Sequence, residues 1–327
     1  MAWLVLCTVA CGILATSLIF WLIGERGRLV QPSTRKTLHD RGIWQLASLR
    51  AWHWYVYGRW PRFYIGSLIK HVFGAIAWLG PNWKVWLADH YHGKILTTEN
   101  AKSILTIDHE ISLQDLERIV PYRTARSLLL MGPPDIAVFE CPCRLVRDNP
   151  CRPTQVCLIV GQPFVDLVLD HHPKTSRLLT QQEALDLLEA EHHRGHLHSA
   201  WFKDACLDRF FAICNCCKCC CGGIDAMVNH GIPMMASSGY VAEVDNQICK
   251  GCGACEKACA FGAIRVNRQA AVDANACMGC GVCEGLCTSG AVSLVRAPDR
   301  GAPLDLRQMS DDRDHRNRND LLSSPPS

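Results

Sequence analysis

Residues 248 to 295 contain one unit twice without a gap, ICKGCGACEKACAFGAIRV and then ACMGCGVCEGLCTSGAVSL, at an offset of 28 positions. Each copy carries Cys-x2-Cys-x2-Cys-x3-Cys: Cys249, Cys252, Cys255 and Cys259, then Cys277, Cys280, Cys283 and Cys287. The remaining cysteines are also grouped. Cys7 and Cys11 lie in an apolar amino-terminal run, residues 12 to 140 have none, and a second concentration runs from Cys141 to Cys221. With 21 cysteines in 327 residues the density is below that of a small disulfide scaffold, and clustering of this kind points to metal.

The spacing has a physical cause. Three thiolates at i, i+3 and i+6 on a tight loop can grip three irons of one cubane cluster, while the fourth cysteine, already on the following helix, points to the other cube. Gly251, Gly253, Gly279 and Gly281 allow left-handed torsions that aim backbone N–H groups at the sulfurs. Over roughly residues 240 to 296 these motifs resemble the bacterial-type two-cluster ferredoxins. The resemblance implies a ferredoxin-like βαββαβ dicluster domain holding two [4Fe-4S] clusters. By motif position, Cys249, Cys252, Cys255 and Cys287 would ligate one, and Cys277, Cys280, Cys283 and Cys259 the other. Ala260 and Thr288 replace the family's proline after the fourth cysteine, a departure that bears on potential and packing more than on ligation. A double zinc site is the competing reading, although zinc knuckles pair Cys-x2-Cys hooks instead.

Ten further cysteines are metal candidates: Cys141, Cys143, Cys151 and Cys157, then Cys214, Cys216, Cys217, Cys219, Cys220 and Cys221 within ICNCCKCCCGG. Ten thiols exceed one four-ligand site, and neighbouring cysteines cannot all reach one metal with good geometry. The layout resembles iron–sulfur proteins of anaerobes in which a CxCR segment and a CNCCxCCC segment precede a ferredoxin repeat, a resemblance that brings no assigned reaction. Three readings stay open: a third iron–sulfur cluster, structural zinc, or a thiol/disulfide site. His192, His193, His196 and His198 could supply a ligand, but a helix C-terminus favours histidine anyway. His90 and His92 alternate as on a strand and are assigned to a membrane-facing surface.

Residues 2 to 23, AWLVLCTVACGILATSLIFWLI, carry no charge and are long enough to cross a bilayer. Arg26, Arg28, Arg35, Lys36, Arg41 and Arg50 follow, so the positive-inside rule places the cysteine-rich domains on the cytoplasmic side of the cell inner membrane in a single-pass protein. A cleaved signal peptide is the rival reading. The run is too long for an apolar h-region, lacks a basic n-region and has its charges on the other side. Cys7 and Cys11 read as packing residues. Nine of ten tryptophans lie between Trp3 and Trp86, and aromatic and basic residues interleave from Trp44 to Trp86, as suits a headgroup layer. Residues 63 to 80 are a second apolar stretch with Lys70 and His71 at its centre, which argues against a crossing.

The fold class is therefore α+β, in five segments: a transmembrane anchor (1–24), a Trp-rich membrane-proximal region (25–95), a cysteine-rich α/β module (96–239), the dicluster domain (240–296) and a disordered tail (297–327). Within the module, Ser112 is expected to cap a helix through Val120 and Pro121 to start another through Met131. Ile136–Phe139 and Val156–Val160 read as strands, and Thr180 with Glu183 as a capping box opening a helix closed by Gly195.

No dinucleotide fingerprint, phosphate loop, nucleophile elbow or HExxH helix is present, so no nucleotide cofactor is evident. The net charge of +3 gives no reason to expect nucleic acid. The expected function is relay of single electrons between a soluble donor and redox partner proteins at the lipid bilayer. The alternatives are the catalytic subunit of a membrane-associated oxidoreductase, whose active centre lies among the middle cysteines, and an assembly or scaffolding protein whose middle module carries zinc. No catalytic residue is assigned.

Overall fold

The computed structural model describes residues 1–41, 49–114, 116, 119–122, 127–203, 206 and 209–309. Trp44 and the tail beyond Met309 lie outside the described residues. Apolar side chains at almost every position give helix α1 (Ala2–Gly24) no polar face, and every residue from Val5 to Phe20 is exposed. Among the described residues it is the one helix long and apolar enough to cross a membrane. Its foot is gripped by protein. Phe20 stacks on Trp60 and Trp21 on Tyr55, with ring centroids 4.4 and 4.9 Å apart. Glu25, wholly buried, pairs with Arg59 at 2.8 Å.

Helices α2 (Pro32–Arg41) and α3 (Leu49–Arg59) surround that foot. Next come α4 (Pro61–Ser67), a π turn at Leu68–Val72, α5 (Phe73–Leu79) and α6 (Pro81–His90). The π turn joins α4 to α5, and Ile65, Leu68, Phe73 and Ile76 point into protein while Lys70 and His71 face out. Residues 63 to 80 thus form a jointed helix that skims the body of the molecule.

Strand β1 (Tyr91–Leu96) carries the chain into a nine-stranded sheet. His92 is fully buried there, stacked on Tyr122 and Phe202, which corrects its assignment to a membrane-facing surface. Helix α7 (Thr98–Leu105) follows, capped by the Thr97 hydroxyl. Strands β2 (Ile111–Gln114) and β3 (Ser127–Leu130) then pair antiparallel where two helices were expected. Ile111, Leu128 and Leu130 are buried by that pairing, and the ladder outweighs the local cap signal of Ser112.

The remaining elements are β4 (Ile136–Glu140), α8 (Pro142–Leu145), β5 (Gln155–Val160), α9 (Phe164–His171), β6 (Ser176–Leu179) and α10 (Gln181–His193). They are followed by β7 (Leu197–Lys203), β8 (Arg209–Cys216), α11 (Gly222–His230) and β9 (Met235–Ala236). Helix α10 opens with the expected capping box between Thr180 and Glu183. The sheet runs β6-β4-β5-β8-β7-β1-β9, with β3 beside the start of β8 and β2 outside it. All pairs are antiparallel except β1 with β9 and β3 with β8.

Period-two alternation sorts side chains to two faces. Ala137, Phe139, Ile159 and Trp201 meet α4–α6, α9 and α11 on one face, while Ile136, Val138, Leu158 and Phe202 meet α7 and α10 on the other. The second face also receives Leu304 and Leu306, both fully buried. The tail is therefore ordered as far as Met309, because its apolar pair docks and the Leu306 N–H reaches the Ser103 hydroxyl at 3.3 Å. That corrects the expectation of disorder for residues 297 to 309.

The C-terminal unit reads β10 (Tyr240–Val244), α12 (Ala254–Ala258), β11 (Ile264–Asn267), β12 (Gln269–Val272), α13 (Val282–Gly285) and β13 (Val292–Arg296). Strand β10 pairs with β13 and β11 with β12, both antiparallel.

Candidate metal centres

The two copies of the repeat fold alike. Gly253 and Gly281 are the N-caps of α12 and α13 at φ 77° and 76°, so the short helices start at equivalent cysteine-flanked turns. Gly251 and Gly279 sit in the same loops, where a Cβ would collide with the Arg268 or Tyr240 carbonyl oxygen. Backbone N–H groups donate to sulfur at three of the cysteines: Ala242 to Cys277 (3.5 Å), Ala263 to Cys259 (3.2 Å) and Ala291 to Cys287 (3.3 Å). Such donors offset thiolate charge, as a cluster-bearing loop requires. The donor set therefore fits iron–sulfur cofactors, whose chemistry is one-electron transfer.

The two sets of thiols differ in depth. Cys252 is exposed and Cys249, Cys255 and Cys287 are half-buried, whereas Cys277 and Cys283 are buried. Met278 and Val282, beside Cys280, join the hydrophobic core shared with Trp201 and Phe211. Burial pushes Cys280 and Cys283 up to about 12, so loading metal at these thiols releases protons.

The ten middle cysteines separate into two groups. Cys151, from the loop after α8, meets Cys217, Cys219 and Cys220 from the turn between β8 and α11. Their four sulfurs all lie within 4.8 Å of one another. A tetrahedral zinc site with Zn–S near 2.3 Å places sulfurs about 3.8 Å apart, so the set suits one metal ion. Arg147 braces the turn, donating to the Cys220 carbonyl at 3.2 Å and to Asp225 at 2.9 Å. Lys218, between these cysteines, donates to the Lys257 carbonyl at the end of α12 at 3.3 Å, so the site borders the C-terminal unit.

The other six lie along the sheet and at its edge, Cys141, Cys157, Cys216 and Cys221 buried and Cys143 and Cys214 half-buried. Cys157, Cys214 and Cys216 lie on the sheet face that carries Phe139 and Ile159, and Cys141 continues the alternation of β4. Cys157 and Cys214 approach to 4.0 Å, Cys216 and Cys221 to 3.2 Å. Hydrogen bonds from Cys143 and Cys157 hold the Cys141 thiol well below its usual range, and those from Cys214 and Cys221 do the same for Cys216. All six border one apolar cavity. Cys206, which the sequence left unassigned, is buried in the same core.

Two residues that motif spacing did not bring forward lie beside these thiols. Arg144, about 1% exposed, donates to Glu191 (2.8 Å) and to the Asn215 carbonyl (3.1 Å), and its charge acts on both Cys141 and Cys217. Its place in Cys-Pro-Cys-Arg was the available signal. Lys203 is buried with its ammonium 3.7, 3.6 and 4.2 Å from the ring centroids of Tyr57, Tyr64 and Tyr91. No local pattern announced that cage. Two of the four histidines have partners other than thiols: His196 bonds Glu191 at 2.7 Å and His198 bonds Asn215 at 2.6 Å.

Comparison with curated proteins and with solved structures returned no match. Residues 241–291 match a family model described as a 4Fe-4S dicluster domain, and the C-terminal unit is a ferredoxin-like iron–sulfur domain.

Proposed function

We propose that the protein is a membrane-anchored electron carrier holding two [4Fe-4S] clusters and a further metal centre, relaying single electrons between a soluble donor and a membrane-bound acceptor. Cys249, Cys252, Cys255 and Cys287 ligate an outer cluster, and Cys277, Cys280, Cys283 and Cys259 an inner one. The observation that carries this reading is the graded burial of the ferredoxin thiols. The exposed Cys252 end offers a donor a short approach, while the Cys280 end is packed into the cysteine-rich module. Electrons entering outside are handed inward toward the further metal centre held by the cysteines at the sheet. The apolar helix α1 spans the inner membrane with the cysteine-rich domains in the cytoplasm, and its gripped foot keeps the relay beside the bilayer.

The test is iron, acid-labile sulfide and zinc per chain on anaerobically purified full-length protein in detergent, with EPR of the reduced sample. Two spin-coupled [4Fe-4S] signals and oxidation by an artificial one-electron acceptor are expected. A chain rich in zinc and devoid of sulfide would overturn the proposal. Reporter fusions at the C-terminus check the sidedness.

A second reading, a reductase whose active centre lies in the module, is favoured by one observation: nine cysteines line one apolar cavity. Substituting Cys216 by Ala distinguishes the two. A relay keeps both ferredoxin signals and its transfer to the artificial acceptor, whereas a reductase loses turnover.

A further inference from the structure

We infer that Cys141, Cys143, Cys157, Cys214, Cys216 and Cys221 bind one polynuclear iron–sulfur cluster, separate from a single metal ion at Cys151, Cys217, Cys219 and Cys220. The inference rests on the iron–sulfur reading above and divides the middle module into two chemically different centres.

Sulfur spacing carries the argument. Among the described residues, Cys151, Cys217, Cys219 and Cys220 form the one set of three or more candidate ligands whose donor atoms all lie within 4.8 Å of one another. No three of the other six middle sulfurs meet that condition, and no three of the eight ferredoxin sulfurs do either. A single ion draws every ligand to about 2.3 Å and hence close together. The other six touch in pairs, Cys157 with Cys214 at 4.0 Å and Cys216 with Cys221 at 3.2 Å, but no three share one such sphere, so they are too many and too spread for one ion and suit a centre of several metal atoms.

Placement agrees. The Cys157 and Cys214 sulfurs lie 4.0 Å apart and those of Cys216 and Cys221 3.2 Å apart, and the Cys143 sulfur lies beside Gly222, the residue after Cys221. All six border one apolar cavity, whose lining Cys206, Cys217 and Cys220 share. Thiolates gathered in an apolar interior need cationic partners, and iron among the six supplies them.

The experiment uses the full-length protein in detergent, reconstituted anaerobically with ferrous iron and sulfide. Two cubane clusters account for about eight sulfides per chain. Wild type is expected to exceed that number. Cys157→Ser/Cys214→Ser should bring sulfide back to about eight with both ferredoxin EPR signals retained, because only the two cubanes remain. Cys217→Ser/Cys219→Ser should lose one metal ion and no sulfide. Wild-type sulfide at or below about eight with intact ferredoxin signals, or zinc at the six cysteines, overturns the inference. Should the Cys157→Ser/Cys214→Ser variant fail to fold, wild-type sulfide together with Mössbauer spectra decides alone. Absence of ferredoxin signals in wild type would instead count against the proposed function.

Discussion

Replacing Glu25 tests whether α1 is rigidly joined to the body of the protein. Its carboxylate accepts from Arg59 Nη2 at 2.8 Å and Nε at 3.2 Å, from the Thr34 hydroxyl at 3.1 Å and from the Gln31 N–H at 2.7 Å. The Arg59 guanidinium lies 4.5 and 4.3 Å from the rings of Trp54 and Tyr55, and its side chain is 1% exposed. Glu25→Ala strands that cation in an aromatic pocket, and removal of one partner of a buried pair costs about 3–5 kcal/mol. Glu25→Leu with Arg59→Met removes both charges and their desolvation penalty together. The double variant should then be more stable than Glu25→Ala by about 2 kcal/mol or more.

Denaturation of the detergent-solubilised chain, followed by tryptophan fluorescence, reports on this region because Trp21, Trp54 and Trp60 surround the pair. The work belongs near neutral pH. Burial, with the Arg59 charge, depresses nearby His171 to about 4, so protonation there destabilises the fold as pH falls from about 6.5 toward 4. If the double variant loses as much as the two single losses added together, the coupling is absent and α1 is a loose tether.

Lys94 lies in β1 with its ammonium 2.7 Å from the Ala302 carbonyl, and burial, with the Arg296 charge, lowers it from 10.5 to about 7. The folded state thus binds fewer protons than the unfolded chain between those values. The penalty is full below about pH 7 and fades toward pH 10.5, with an upper bound of about 5 kcal/mol. Lys94→Met should raise the melting temperature more near neutral pH than near pH 10, and equal gains at both would refute the assignment. Gly251→Ala should abolish the outer cluster's EPR signal while sparing the inner one, since the new Cβ meets the Arg268 carbonyl in a loop at φ 61°. Retention of both signals would show that the loop has room to give.

Features encoded over short stretches of chain were legible in the sequence. Helix α1, long and apolar enough to cross a membrane, needs only an uninterrupted apolar run, and the dicluster domain needs only its spacing repeated. The start of α10 needs only Thr180 and Glu183, three residues apart. The β2–β3 pair was not legible, because Ser112 is a local cap signal and its strand depends on a partner at Leu129. The tail was misread for a related reason. Leu304 and Leu306 show no periodicity of their own and are ordered by the sheet face they meet.

The middle cysteines draw the same boundary most sharply. From sequence alone, ten thiols in two segments implied metal and more than one four-ligand site. Which thiol belongs to which centre depended on strand pairing: Phe139 opposite Cys157 and Leu158 opposite Ile213 bring β4, β5 and β8 side by side. That pairing carries Cys157 to Cys214 across 57 residues, and alternation along β8 turns Cys214 and Cys216 to one face while Cys217 leaves the strand for the other group. Spacing along the chain determines a centre when all its ligands share a loop. When they come from neighbouring strands, the sheet's register decides, because it sets which distant residues stand within a few ångströms of one another.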